Sequence, residues 1–333
     1  MENNEQETSE YEYATKINSL GYLPGPDICS CGWKKFNIQN LRQNYTSGIC
    51  FRCTNNFCRK RYNIRYNSFF ERYPNITLQV CSEVIKCFIC FEFNAKDAEK
   101  YIKEEKGQII SSRVIGKIYQ SIREVLYKYL YKIYQHDLLL EENMHLKCSI
   151  DESLFTHKKN GESVWVLGVI NNQDKNAFRL EATTKRNSET LKLFIKKYIG
   201  KGNIIIIIIS DGWTGYAFLD SDNSEYLHDT HNHGHGDFGF GLNSTSSIES
   251  LWNSLKNKIK KTHHIIPSKN FIRFLRESEW KYINRNKTYE QKIKEFFDCF
   301  NFLQNVKDVE FEKNEFLSDS DLNDEGSLSE NDD

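Results

Sequence analysis

The sequence predicts an α/β protein: a mixed sheet flanked by helices, preceded by a small cysteine-rich module and a helical region. Three observations carry this. First, residues 204–209 are six consecutive isoleucines. That run is too short to cross a bilayer. It is β-branched and apolar on both faces, as a strand in the middle of a sheet requires. It stops at Ser210-Asp211-Gly212, which puts a carboxylate at the rim of the sheet and lets the chain turn. Second, the chain around it reads strand, strand, strand, helix, strand. Third, Cys29, Cys31, Cys50, Cys53 and Cys58 fall in paired clusters near the N-terminus.

A chain of 333 residues has room for two domains, and 14% aromatic residues argue for a packed core rather than disorder. No apolar run is long enough for a membrane span, and the N-terminus is acidic where a signal peptide is basic. The expected location is therefore the nucleus in a eukaryote and the cytoplasm otherwise. In such a reducing compartment the ten cysteines are thiols, and clustered ones are metal ligands. Charge is segregated. Residues 306–333 hold eleven acids against two lysines, and residues 1–28 six against one; with a net charge of −1 the body between them carries +13. A basic body between acidic ends suits a polyanion partner.

In chain order, residues 1–28 are expected to be an acidic flexible N-terminus. Residues 29–75 have the layout of a zinc ribbon: thiol pairs about twenty residues apart, with Gly32 after the first pair. Four of the five thiols suffice for a tetrahedral site. The favoured ligands are Cys29, Cys31, Cys53 and Cys58, with Cys50 as a packing residue; the alternative is buried free thiols. Arg59, Lys60, Arg61 and Arg65 come next, interleaved with Tyr62, Tyr66, Phe69 and Phe70. That pattern favours DNA phosphate contacts, although a hairpin with a charged outer face looks the same. Residues 76–140 read as a helical DNA-binding region. Its first helix, 76–93, holds Cys81, Cys87 and Cys90 as core residues. Two more helices, 95–105 and 111–134, are joined by a turn at Lys106-Gly107. In the second of them Val114, Ile118, Ile122, Val125 and Leu126 fall at helical spacing and leave Arg113, Lys117 and Gln120 outward. This is helix-turn-helix-like, with 111–120 as the reading segment.

Residues 141–300 supply the sheet. Strands are expected at 146–150, 164–170 and 177–183, with turns at Asn160-Gly161 and Asn171-Asn172. A helix over 188–199 then precedes the isoleucine strand. A β-β-β-α-β order with acids after the first and fourth strands is that of the ribonuclease H-like fold. His228, His231, His233 and His235 form a cluster that suits either a second metal site or a DNA-binding loop. Residues 301–333 are expected to be an acidic disordered tail.

The chemistry-bearing residues converge only in that fold. Asp151 ends the run 145–150, Asp211 ends the isoleucine strand, and Glu249 opens a helix over 248–261. Two strand-borne aspartates and a helix-borne glutamate suit two-metal phosphoryl transfer, with Mg2+ or Mn2+ as the cation. Asp211 as a mere cap of the next helix is the plainer alternative. Glu249 and Lys256 are seven residues apart, nearly two helical turns, and share a face beside the apolar stripe Leu251, Trp252 and Leu255. Glu152, next to Asp151, points to the opposite strand face and is expected to be dispensable.

Ile150-Asp151-Glu152, Val164-Trp165-Val166-Leu167-Gly168, Ser210-Asp211-Gly212-Trp213, Asn232-His233 and Ile248-Glu249-Ser250-Leu251-Trp252 through to Lys256 together resemble the ISXO-two-like insertion-sequence transposases, a DDE group. Arg52-Cys53 and Cys58-Arg59-Lys60, with the other cysteines, resemble that family's zinc ribbon. The resemblance spans about residues 29–285. It implies metal-dependent cleavage of DNA and joining of 3′ ends, by a homo-oligomer on transposon ends and target DNA. It also implies that Asp151, Asp211 and Glu249 are the divalent-metal ligands, Lys256 their basic partner, and the ribbon a Zn2+ site. The tight Cys29-x-Cys31 knuckle, the histidine-rich block and the acidic tail depart from the pattern. The competing readings are a domesticated, transposase-derived zinc-finger DNA-binding protein without transposition activity, and a ribonuclease H-like nuclease.

Overall fold

The computed structural model describes residues 9–41, 48–136, 145–158, 161–199, 205–222, 224–231, 241–262 and 271–306. The acidic tail from 307 on, His233 and His235 lie outside them. The chain divides into two compact units, Met1–Val125 with Asn286–Asp308, and Leu126–Arg285.

In the first unit the elements are α1 (Glu10–Ser19), β1 (Phe36–Asn40), β2 (Ile49–Cys53), β3 (Arg61–Asn63), α2 (Leu78–Ile89), α3 (Ala95–Lys106) and most of α4 (Ser112–His136). Helix α1 corrects the expectation of a wholly flexible 1–28. Ser9 and Glu12 form a reciprocal capping box, and Ala14 and Ile17 are buried. The Glu10 carboxylate also accepts a hydrogen bond from the Leu78 amide at 2.7 Å. Strands β1, β2 and β3 make one antiparallel sheet in that order. Cys81 and Cys87 are core residues of α2, as expected. Helix α3 ends at Gly107, whose φ of 62° is the left-handed C-cap that glycine accepts without strain.

The second unit is a sheet with helices on both faces: β4 (His145–His157), β5 (Ser163–Asn171), β6 (Phe178–Thr183), α5 (Ser188–Tyr198), β7 (Ile205–Ser210), β8 (Leu227–Thr230), α6 (Ser246–Thr262) and α7 (Phe271–Ile283). Helix α8 (Tyr289–Asn305) belongs to the first unit again. The domain boundary expected at residue 300 falls inside it. Phe296 and Phe297 explain why: they pack on Phe69 at 5.2 Å edge-on and on Tyr22 at 4.1 Å stacked.

Strand order is β6-β5-β4-β7-β8. Strands β4, β7 and β8 are parallel, while β5 runs antiparallel to both its neighbours. This is the ribonuclease H-like arrangement. In β7 the isoleucines Ile206, Ile208 and Ile209 are buried, as a strand between two parallel neighbours requires. Strand β4 is longer than its sequence suggests. It continues past Ile150 to His157 because β5 supplies a partner along this stretch, so Asp151 sits within a strand and not at its end. Phe155, Val166 and Leu180 of one face pack on Leu251, Leu255 and Phe271 of α6 and α7. At the β6 edge the buried Arg276 of α7 holds Glu181 at 2.9 Å and Glu279 at 2.7 Å. No described helix is long and apolar enough to cross a membrane.

Candidate functional site

The register of β4 and β7 brings the two aspartates to the same end of the strand pair. Ser149 pairs with Ile209, the last pair of the ladder; Asp151 continues in β4, and Asp211 follows directly on the last residue of β7. The Asp151 carboxyl is pushed up to about 7. Burial is the main cause; the Trp252 hydrogen bond opposes it, and the charges of Glu152 and Asp211 add to it. Asp211 Oδ1 accepts from the Trp213 amide at 3.0 Å, across a turn made by Gly212 at φ 79°. It therefore caps its own turn, and its charge is felt at Asp151.

Helix α6 lies along β4, pinned at three steps. The Ser149 hydroxyl donates to the Ser244 carbonyl at 2.8 Å just before the helix. The Trp252 indole N–H donates to Asp151 Oδ2 at 2.8 Å. The Lys256 ammonium donates to Ser153 Oγ at 2.6 Å and lies over the Phe155 ring. Glu249 falls between the first two anchors, one turn or about 4.5 Å before Trp252. Its carboxylate accepts from the Thr245 hydroxyl at 3.1 Å. The fold thus brings Asp151, Trp252 and Lys256 together between β4 and α6, with Glu249 on the same helix and Asp211 at the end of the neighbouring strand. It does not gather the three carboxylates into a single tight cluster. Among the described residues, the cysteine quartet alone has all its ligand atoms within 4.8 Å of one another.

The Trp252 anchor was not legible in the sequence, but Gly168 was a signal. An isolated glycine inside a strand marks a close approach. Gly168 pairs with Asp151 across β4 and β5, and a Cβ there would stand 2.5 Å from the Trp252 ring. Gly168→Ala is expected to lower stability by about 1–3 kcal/mol through overpacking. It should also move the indole off Asp151. A denaturant titration and the tryptophan fluorescence of the same sample check both.

Glu152 has a structural role that its strand position alone does not announce. It points away from Asp151 as predicted, but into a packed face. Its carboxylate pairs with Arg186 at 2.7 Å and accepts from the Tyr216 hydroxyl at 2.6 Å. The Arg186 guanidinium is held between the Trp165 and Trp213 rings, 4.7 and 4.2 Å from their centroids. Glu152→Ala would strand a buried tyrosine hydroxyl and unpair the arginine. Arg186 is a third exposed, so the expected loss is about 3 kcal/mol, the lower end for breaking a buried pair. A urea midpoint measures it.

Of the histidines, His228 bonds Ser210 Oγ at 2.9 Å and Asp220 at 2.7 Å, and His231 approaches Asp229 at 3.4 Å. Both are thus engaged by protein groups.

In the first unit, Cys29, Cys31, Cys53 and Cys58 form the quartet, and Cys50 stands apart from it, as expected. The four thiols could hold a metal. The Cys29 thiol is held down to about 6, chiefly by the Cys31 amide and then by the Tyr62 hydroxyl. Burial first, with its cysteine neighbours, pushes Cys53 up. Four thiols this close cannot all ionise without a cation, so the donor chemistry fits zinc. Arg59, Arg61, Arg113 and Lys117 are exposed. Lys60 is exposed too and bonds Ser30 Oγ at 3.1 Å. Arg65 corrects the expectation of a DNA contact. It is 8% exposed, and its guanidinium donates to the Tyr73 and Ile76 carbonyls at 3.3 and 2.6 Å.

A ribonuclease H-like sheet with an aspartate in β4, another directly after β7 and a glutamate on the helix packed along β4 matches the arrangement expected of a DDE-type domain. Residues 150–282 match the family model of the ISXO2-like transposase domain, so this stretch is similar to a DDE-type transposase domain. The match covers 133 of 333 residues and leaves the cysteine quartet outside it. No curated protein matches the chain.

Proposed function

We propose that the protein is a DDE transposase that cleaves DNA and joins 3′ ends at Asp151, Asp211 and Glu249. One observation carries this reading: Asp151 on β4 lies within reach of the charge of Asp211, just past the end of the neighbouring parallel strand β7, and the helix bearing Glu249 is tied to Asp151 through Trp252. The donor set fits Mg2+ or Mn2+. It is all carboxylate, and Asp151 is a buried acid that a cation would discharge. Bound there, the metal supplies activation of the attacking hydroxyl and stabilisation of the leaving oxygen. The rest falls to the chain. Trp252 fixes which Asp151 oxygen faces the site. The Trp213 amide orients Asp211. Lys256, beside Ser153, offers a cation to a phosphate. In this reading the quartet holds a structural zinc, the ribbon (29–75) and helices (76–140) grip DNA through Arg59, Lys60, Arg61, Arg113 and Lys117, and 141–285 is catalytic.

A second reading, a DNA-binding protein that has lost transposition, draws on the spacing of the carboxylates, which do not close into one tight cluster. The two are separated by incubating full-length protein with labelled duplex from the DNA flanking its gene, with Mg2+ or Mn2+. Cut strands bearing 3′-OH and joined products support the transposase. Binding without cutting under either metal assigns the second reading.

A further inference from the structure

The three-stranded sheet of the first unit has two unlike faces. Ile38, Phe51 and Tyr62 lie opposite one another on one face. That face is used internally: Gly25 packs so closely on the Phe51 ring that a Cβ there would meet it at 3.0 Å, and the Tyr62 hydroxyl donates to Cys29 Sγ at 3.3 Å. The other face carries Asn37, Arg52 and Arg61 in one row and Gln39, the small buried Cys50 and Asn63 in the next, so its outward-reaching side chains are polar or basic. Arg52 donates to Gln39 Oε1 at 3.1 Å, which sets both side chains across the strands. Beside the row is a cavity of about 320 Å³ lined by Asn37, Gln39, Arg52, Thr54, Asn56 and Arg59. Residues 28–70 hold eight Lys or Arg and no Asp or Glu.

Such a surface has chemistry for one partner. A stretch without carboxylates attracts a polyanion. Asn and Gln amides match the adenine edge, and the Arg fork matches guanine. Three strands span about 10 Å, two inter-strand spacings, and the major groove of B-form DNA is about 12 Å wide. The major groove of A-form RNA is too narrow for such a sheet. We propose that this polar face enters the major groove of duplex DNA. Asn37, Gln39 and Arg52 read base edges there, and Arg59, Lys60 and Arg61 hold the flanking phosphates. The proposal rests on the DNA-handling reading above and assigns the base-reading role to residues outside the DDE domain.

The test selects preferred sequences from a randomised duplex pool with full-length protein. Affinity for the selected and a scrambled duplex is then measured across salt concentrations, with metal content checked for each variant. Asn37→Ala and Gln39→Ala should each cut the selected-to-scrambled ratio by roughly five- to a hundredfold, at defined base positions. Arg59→Ala should weaken both duplexes alike and reduce the salt slope by about one. The proposal is overturned if the wild type shows no base preference, if it prefers RNA of the same sequence, or if Asn37→Ala and Gln39→Ala keep the wild-type preference with metal content intact. Base preference that shifts as expected in a protein that never cuts DNA would sink the transposase reading and leave this one standing.

Discussion

Asp211→Ala is expected to lower strand cleavage and joining by at least about a thousandfold while leaving DNA affinity unchanged or slightly higher. The asymmetry comes from position. Asp211 lies two residues past the last β4–β7 pair, at the end of the strand beside Asp151, and in the proposed site it is a metal ligand close to the reacting phosphate. Removing it deletes a metal ligand from the reaction and a negative charge from the path of DNA. Asp151→Ala and Glu249→Ala should behave alike. Asp151→Ala strands the buried Trp252 indole N–H and Glu249→Ala takes an acceptor from the buried Thr245 hydroxyl, so both should also cost stability. Gel assays of joined product and anisotropy of DNA binding, run on the same preparations, separate rate from affinity. Wild-type cleavage by Asp211→Ala would show that the site lies elsewhere.

Removing the metal from the cysteine quartet should have the next largest effect. The three strands of this sheet are five, five and three residues long, too little to hold themselves together. Freshly purified, reduced protein should contain about one zinc per chain. A strong chelator should abolish DNA binding by disordering the ribbon while the α/β unit keeps its melting transition. Cys53→Ser should reproduce the chelated state. Cys50→Ser should keep its zinc, because that thiol lies outside the quartet. Zinc retained by Cys53→Ser and lost from Cys50→Ser would reverse the ligand assignment.

Features set by local pattern were legible in the sequence. The isoleucine run became β7 with Ile206, Ile208 and Ile209 buried, the cysteine spacing gave the quartet without Cys50, and the strand order of the α/β unit was as read. Features set by tertiary pairing were not. Residues 151–157 look polar and ambiguous alone, and only pairing with β5 extends β4 through Asp151. Arg65 sits in a basic, aromatic stretch that reads as a DNA contact. Its burial depends on two carbonyls eight and eleven residues away. Glu152 obeys the strand alternation, yet nothing local announces that Arg186 and Tyr216 wait on the far face. Helix α8 comes after the catalytic stretch in sequence, but its phenylalanines complete the aromatic core of the first unit.

Everything proposed for the α/β unit depends on Asp151, Asp211 and Glu249 making one divalent-metal site. Mn2+ binding to the full-length chain, monitored by electron paramagnetic resonance, tests this without depending on turnover or on the right DNA. The wild type is expected to bind Mn2+, and Asp151→Asn, Asp211→Asn and Glu249→Gln each to weaken that binding markedly. Mn2+ binding that all three substitutions leave unchanged would contradict it.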